Sequence, residues 1–186
     1  MKRICSQILL KLWKLFENIA VNAANNMSIS REEFRAALGR FASGVTVVTT
    51  VDKEGRWHGI TVSAFCSVSL EPPLILICID KTTGSHPAFE IDGAFVVNVL
   101  REDQSNLSNH FASIIADKFD GIEYTKTADG IPILKNALVN LECRLVYAHE
   151  GGDHTIFVGK IEKSKVADGN PLVFFHGNYR KLDEFD

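Results

Sequence analysis

The pattern of hydrophobic and polar positions predicts a protein built mainly of β-strands with a few flanking helices. From Gly44 onwards, runs of β-branched and apolar residues are separated by segments rich in Gly, Pro, Asn and Asp. Several runs are joined by tight turns, such as KEG at 53–55 and GGD at 151–153, which is typical of antiparallel pairs. The pattern therefore favours an antiparallel barrel or sandwich. The predicted strands cover residues 44–52, 56–71, 74–80, 94–100, 137–150, 154–166 and 171–182.

Helices are predicted at the margins of these strands. Ser30, followed by Glu33, forms a capping-box pattern, so a helix is expected from there to about Phe41. A short helix is expected around residues 86–91 and a longer one over 101–113. The segment between that helix and the next strand has no clear period, and we expect it to be irregular.

The stretch from residue 56 to residue 80 raises the first functional question. Its first strand, expected to bend near Ser63, carries short hydroxyl side chains where a buried strand would normally place bulk. They are Thr61, Ser63, Ser67 and Ser69. After Pro72 and Pro73, LILICID (74–80) is a continuous apolar run, as expected of a strand buried on both faces.

Residues 1–27 differ from the rest and are expected to form a separate amphipathic helical extension. Their apolar positions recur at helical spacing and make one stripe. Lys11 and Lys14 interrupt the apolar run, which argues against stable membrane insertion. Three interpretations stay open: a helix packed on the body or a partner subunit, a loose extension before a second start at Met27, or a helix lying on a membrane surface.

Composition narrows the function classes. The chain has 186 residues, a net charge of -3 and 46% hydrophobic residues, which fits one ordinary globular domain and gives no electrostatic reason to bind nucleic acid. It contains no GxGxxG, Walker-type loop or HExxH motif, and its histidines lack metal-ligand spacing. No metal is therefore expected. The four cysteines form no CxxC pair, which favours buried free thiols in a cytoplasmic protein over disulfides or a metal site.

Several segments in this order resemble the flavin reductase family, the small reductase components of two-component flavin monooxygenases. They are FRAALGRFASGVTVVTT, HGITVSAFCSVSLEPPLILICI, FVVNVL, LSNHFAS and GGDHTIFVGKI, followed by PLVFFHGNYRKL. The resemblance implies that residues 28–186 form a flavin-binding split β-barrel that works as a homodimer. It implies that NADH or NADPH reduces FMN or FAD, and that reduced flavin passes to a partner monooxygenase. The alternative is a flavin-binding electron-transfer protein of the same fold without fast reductase turnover.

The resemblance also assigns candidate residues along the flavin. Short side chains let a backbone approach the flat isoalloxazine ring, and hydroxyls and amides can bond to its polar edge. The structural alternative is that these short hydroxyl residues occupy ordinary positions in the sheet. The carried-over residues of this first stretch are His58, Gly59, Thr61, Val62 and Ser63.

The loop CIDKTTGSHP is expected to hold the flavin phosphate. Its hydroxyls and lysine suit an anion, and a helix starting near His86 would aim its amides the same way. The alternative is a solvated turn rich in turn-forming residues. The residues concerned are Cys78, Ile79, Lys81, Thr82, Thr83 and Ser85.

Further candidates come from later strands and from the predicted helix at 101–113. Asn98 interrupts an apolar strand and, if buried, must find partners, at the flavin edge or within the sheet. Phe111 is as consistent with a core position as with a ring contact. The full set of carried-over residues here is Asn98, Val99, Ser108, Asn109, Phe111 and Ala112.

The catalytic candidate is His154, directly after the GGD turn. The resemblance places it near the nicotinamide, where it can form a hydrogen bond or respond to charge on reduced flavin. The alternative is a turn histidine facing solvent. Tyr179 and Arg180 match the segment that shapes the pyridine-nucleotide pocket in relatives.

Overall fold

The computed structural model describes residues 29–90 and 93–182 and confirms a mainly β, antiparallel protein. Every named strand pair within these residues is antiparallel. The strands are β1 (Ser43–Gly44), β2 (Thr46–Val51), β3 (Trp57–Val62), β4 (Phe65–Ser69), β5 (Leu74–Asp80), β6 (Ala94–Val99), β7 (Tyr124–Lys126), β8 (Pro132–Leu134), β9 (Val139–Gly151), β10 (His154–Val166), β11 (Val173–Phe175) and β12 (Asn178–Arg180). The helices are α1 (Arg31–Leu38) and α2 (Ser105–Ala112).

The chain divides after Phe41 into two units. In the first, α1 begins where predicted, because Ser30 and Glu33 form both hydrogen bonds of the capping box. The predicted extension at 1–27 lies outside the described residues and stays a prediction. Neither helix in the described part of the chain has the length and apolar character needed to span a bilayer.

The second unit is organised around a seven-stranded sheet in the order β3-β2-β6-β9-β10-β5-β4. The two end strands, β3 and β4, are consecutive in the chain, and the bend predicted near Ser63 separates them. One apolar cluster, which includes Ile77 and Phe95, lies on one side of β2. A second, which includes Val47 and Phe111, lies on the other side and packs α2 against the sheet. Both faces of β2 are therefore buried, and β3 pairs with it along one edge.

Some predicted elements were wrong in extent or kind. The strand predicted at 44–52 is divided between β1 and β2, and the one at 171–182 is the hairpin of β11 and β12. The helix expected at 86–91 is a single 3₁₀ turn, His86–Ala88. The segment expected to be irregular contains the β7–β8 hairpin.

Burial corrects two expectations about strands and thiols. β5 is fully buried on one face only: Ile75, Ile77 and Ile79 are at most 3% exposed, whereas Leu74, Leu76 and Cys78 are half-buried. The described cysteines are free thiols, as expected, but Cys66 is exposed rather than buried, because it lies on the outer side of β4. Burial raises the pKa of Cys143 to about 12.

Candidate functional site

Successive side chains of β3 point to opposite sides of the sheet. Only those on one side can contact α2. Gly59 and Thr61 face α2, and the Thr61 hydroxyl donates a 2.6 Å hydrogen bond to the carbonyl of Ser108. A Cβ added at Gly59 would lie 2.5 Å from the ring of Phe111, so only glycine allows this approach. Val62 is buried on the opposite side. The strand and the helix are thus held in direct contact.

His58 also points away from α2. Its Nε2 lies 2.8 Å from Oδ2 of Asp52. Asp52 accepts further bonds from the backbone and side chain of Arg56. Burial alone would raise the pKa of Asp52, but the bonds from His58 and Arg56 lower it well below its usual range. The His58 ring therefore serves the β2–β3 turn, which leaves only its backbone to the proposed flavin stretch.

The carboxyl-terminal hairpin ties onto α2 through Tyr179. The Tyr179 hydroxyl lies 2.9 Å from Oγ of Ser108 and 2.8 Å from Oδ1 of Asn109. Ser108 is fully buried, whereas Asn109, Ala112 and Arg180 are exposed. The structure thus brings Ser108, Asn109 and Tyr179 to one place, where Thr61 bonds to the Ser108 carbonyl.

Phe111 belongs to the core. Its ring is 0% exposed and stacks edge-on against Phe119 with centroids 5.3 Å apart. Of the two readings that the sequence left open, the structure selects the packing one. The side chain supports Gly59 from behind and is not available to a bound ring.

Asn98 is engaged entirely within the protein. Its amide donates to the carbonyl of Val47 at 2.9 Å, and its Oδ1 accepts from the backbone of Leu134 and the amide of Asn140. The side chain is 0% exposed. Its expected place at the flavin edge is therefore not available to the side chain, because every polar atom of the amide is already bonded inside the sheet.

The loop at 81–85 is folded around Asp80. Thr82 donates from its backbone and its hydroxyl to Oδ1 of Asp80, both at 2.7 Å, and Thr83 donates to the Asp80 carbonyl. These bonds from Thr82 lower the pKa of Asp80. The Lys81 ammonium donates to Glu150 and to the carbonyl of Gly152. A phosphate placed here would have to exchange with these acidic partners, and the single 3₁₀ turn that follows offers no long helix.

His154 lies beside this loop. It is the first residue of β10 and stands opposite Asp80 in the β5–β10 ladder. Its Nδ1 lies 2.8 Å from Oδ1 of Asp153, and its side chain is 41% exposed. The Ser85 hydroxyl in turn reaches the Gly59 carbonyl at 3.4 Å. A continuous series of contacts therefore runs from His154 through the loop to β3.

Sequence reasoning missed Asp80 and Lys118. Asp80 ends an apolar run and reads as an ordinary turn residue. The Lys118 ammonium donates to the carbonyls of Gly59 and Phe111. The only local signal for Lys118 was its position directly before the apolar Phe119, which is buried. The Asp80 bonds to Thr82 and Thr83 are local and could have been read from the turn sequence, whereas the Lys118 bond to Gly59 joins residues 59 positions apart and could not.

Two cavities were found away from these candidates. The larger, about 510 Å³, includes Asn140, Glu142 and Lys163 in its lining, and the smaller, about 200 Å³, includes Asp52 and Arg144. Neither is lined by the residues at 61–63 or 81–85. In the described ranges, no group of three or more His, Cys, Asp or Glu side chains could hold a metal. None of the candidate residues lines either of these two cavities.

Comparison with known proteins identifies the class to which this fold and surface belong. Residues 38–183 match the flavin reductase like domain. The chain belongs to this family, as the resemblance predicted, and the split-barrel flavin reductases among its structural neighbours confirm the predicted fold.

The relatives describe related enzymes in more detail. The chain is 43% identical over 151 residues to the NADH-dependent flavin reductase of a Rhodococcus species. This alignment covers 80% of this chain and 85% of that protein. It is 40% identical over 157 residues to the reductase subunit HsaB of a flavin-dependent monooxygenase from Rhodococcus jostii, covering 84% and 80%. The Streptomyces globisporus NADH:FAD oxidoreductase SgcE6, solved with NAD and FAD fragments, has a TM-score of 0.78 at 34% identity and covers 83% and 93%.

The residues brought together fit a flavin by their chemistry. The ring of Phe111 fills the space beside Gly59, and the short side chains of Thr61 and Ser63 follow along the chain. Ser63 is exposed and Thr61 is half-buried, whereas Val62 between them is buried and its carbonyl accepts a hydrogen bond from Thr46. The Lys81 ammonium and exposed Thr82 lie on the loop that Ser85 joins to the same strand.

Proposed function

We propose that this protein is an NAD(P)H:flavin oxidoreductase that reduces FMN or FAD by hydride transfer and supplies reduced flavin to a monooxygenase. The observation that carries the proposal is the pair of short hydroxyl side chains at Thr61 and Ser63, with Thr61 bonded to α2, in a chain that belongs to the flavin reductase like family over residues 38–183. The NADH-dependent reductases at 43% and 42% identity support NADH as the donor. They also favour reductase turnover over the alternative, a flavin protein that only transfers electrons.

The flavin and the nicotinamide supply the redox chemistry, and the protein binds and orients the two rings. The backbone at 61–63 holds the polar edge of the isoalloxazine, and oriented peptide groups there favour the charge that develops on reduction. His154, half-exposed on its turn, contacts the nicotinamide. Because hydride transfer removes no acidic proton, His154 orients and need not act as a base.

The loop at 81–85 binds the ribityl phosphate. This requires Lys81 to exchange Glu150 for the phosphate, and Thr82 to exchange Asp80 for it. The exchange at Lys81 costs little, because Glu150 is 84% exposed and exposed ion pairs are weak. FMN should therefore bind more tightly than riboflavin, which lacks the phosphate. The difference between the two binding free energies measures the net gain from exchanging the acidic partners for the phosphate.

A second copy of the chain completes the site, because the outer face of β4 and β5 is too apolar to remain uncovered. This outer face consists of Cys66, Val68, Leu74, Leu76 and Cys78. Val68 is 49% exposed. Strand β5 leads directly into the loop at 81–85. A partner subunit that packs on the outer face would therefore also border the site.

The protein functions in the cytoplasm with a monooxygenase component. Relatives named as reductase components of such systems support the partner. The free thiols at Cys66, Cys78 and Cys143 fit a reducing compartment.

A crossed steady-state assay tests the proposal. Purified protein is combined with NADH or NADPH and with riboflavin, FMN or FAD, and oxidation of the nicotinamide is followed by absorbance. We expect oxidation to accelerate when free flavin is added, with NADH the better donor. A yellow protein that is inert to both donors would favour the electron-transfer alternative, and a protein that binds no flavin would refute the proposal.

A further inference from the structure

Lys118 makes an unusual set of contacts beside the proposed site. Its ammonium donates to the Gly59 carbonyl at 3.0 Å and to the Phe111 carbonyl at 2.8 Å. The side chain is partly buried, and burial lowers its pKa. In residues 29–90 and 93–182 no carboxylate forms an ion pair with it. A lysine placed among carbonyls without a counter-ion gives up hydration for little Coulomb return, so its position needs an explanation.

Apart from any bonds within the sheet and the helix, the described residues give these two carbonyls one further bond, from Ser85 to Gly59. Phe111 lies in the last turn of α2, where carbonyls have no partner within the helix and a cation is favourable. Gly59 lies on β3, an end strand of the sheet, and its carbonyl has one further contact, the long bond from Ser85. The Lys118 ammonium therefore joins the free edge of β3 to the end of α2.

The lysine is held firmly at its own backbone. Its carbonyl lies 2.8 Å from Nε2 of His110. The next residue, Phe119, is 7% exposed and packs on Phe111. The backbone of Lys118 is thus fixed by its bond to His110 and by the buried neighbour Phe119, and this fixes where the side chain begins.

We propose that Lys118 is a positioning residue that fixes the distance between β3 and α2, and that through Gly59 it sets the affinity of the site for flavin. The inference rests on the proposed function, since residues 59–63 and 108–112 are the two sides of that flavin surface. Thr61, which bonds to Ser108, and Lys118 hold the same strand to the same helix from two points.

Substitution at position 118 tests the inference in the full-length protein. In K118M the side chain keeps its length but cannot donate, and we expect the FMN Kd, measured by flavin fluorescence, to rise about tenfold. The kcat at saturating FMN and the KM for NADH should change less than about twofold, because chemistry and the nicotinamide contact are not touched. K118R, which can still donate to both carbonyls, should restore most of the affinity, and K165M at an exposed lysine should match wild type.

An FMN Kd in folded K118M equal to that of wild type would overturn the inference. A fall in the kcat of K118M with an unchanged FMN Kd would also overturn the inference. Should K118M prove unstable, K118Q replaces it, since its shorter neutral side chain cannot span both carbonyls, and an unchanged Kd there is equally contrary. Wild-type protein that binds no flavin would instead refute the proposed function.

Discussion

Single residues determine how the two walls of the proposed site meet. Thr61 donates a 2.6 Å hydrogen bond from β3 to α2, Lys118 donates one of 3.0 Å to β3, and Gly59 leaves room for the ring of Phe111. Tyr179 adds the carboxyl-terminal hairpin to the same helix. These residues therefore act on the same helix. Each substitution can be compared with a control substitution at a residue of similar chemistry elsewhere in the chain.

At the residue scale, His154→Ala should impair turnover more than flavin binding. Its side chain is 41% exposed, and its one hydrogen bond within the described part of the chain is to exposed Asp153, so its removal leaves no buried partner there. Loss of one hydrogen bond made in the transition state corresponds to about a tenfold fall in kcat, while the FMN Kd should stay within about twofold. His149→Ala, at an exposed histidine of β9, is the matched control. Unchanged turnover in His154→Ala would remove this residue from the mechanism.

Gly159 offers a test of packing inside the barrel. A Cβ added there would lie 2.4 Å from the ring of Phe95, which is 1% exposed. Gly159→Ala should lower the free energy of unfolding by about 1–3 kcal/mol through overpacking. Gly44→Ala, where nothing lies within 4 Å of the added atom, should change it by less than about 0.5 kcal/mol. Equal urea midpoints for the two variants would contradict this account of the core.

At the element scale, the segment before the family match should be dispensable for chemistry. The match begins at residue 38, and the site residues all follow it. Protein lacking residues 1–26 should reduce flavin at a rate within about twofold of the full chain in the steady-state assay. A truncated protein that is folded and dimeric but inactive would show that the segment helps to build the site.

The outer face of β5 gives the second prediction at this scale. Leu76 is half-buried in the single chain, so Leu76→Lys should leave the fold intact but place a charge in the proposed subunit contact. Wild type should elute at twice the 20.6 kDa chain mass, and the variant at the mass of one chain with weakened flavin binding. Val166→Lys, at a 73% exposed site, serves as control. A wild-type monomer that binds flavin would refute the dimer.

Elements with strong local signals were predictable, and contacts between distant segments were not. β10 spans His154–Val166, as its β-branched run predicted, and Ser30 marked the start of α1 through a local cap. The β7–β8 hairpin was missed because each strand has only three residues. The Asn98 network joins residues 36 to 51 positions away, which no local pattern encodes.

At the scale of the whole molecule, the resemblance supplied the family and the split barrel, whereas the structure decided among the candidate residues. It placed Thr61, Ser108 and Tyr179 together. It assigned Asn98 and Phe111 to the interior. The second unit thus contains a seven-stranded sheet whose strand β2 is buried on both faces, with the proposed flavin surface at the free edge of β3.

The most direct test is a crystal of the full-length protein soaked in FMN. The account predicts the tricyclic ring against the backbone at 61–63, with its phosphate at the loop 81–85 and Lys81 turned from Glu150 towards it. A ring bound in the cavity lined by Asn140 and Lys163, or residues 61–63 sealed by neighbouring side chains with no space for a ring, would contradict it.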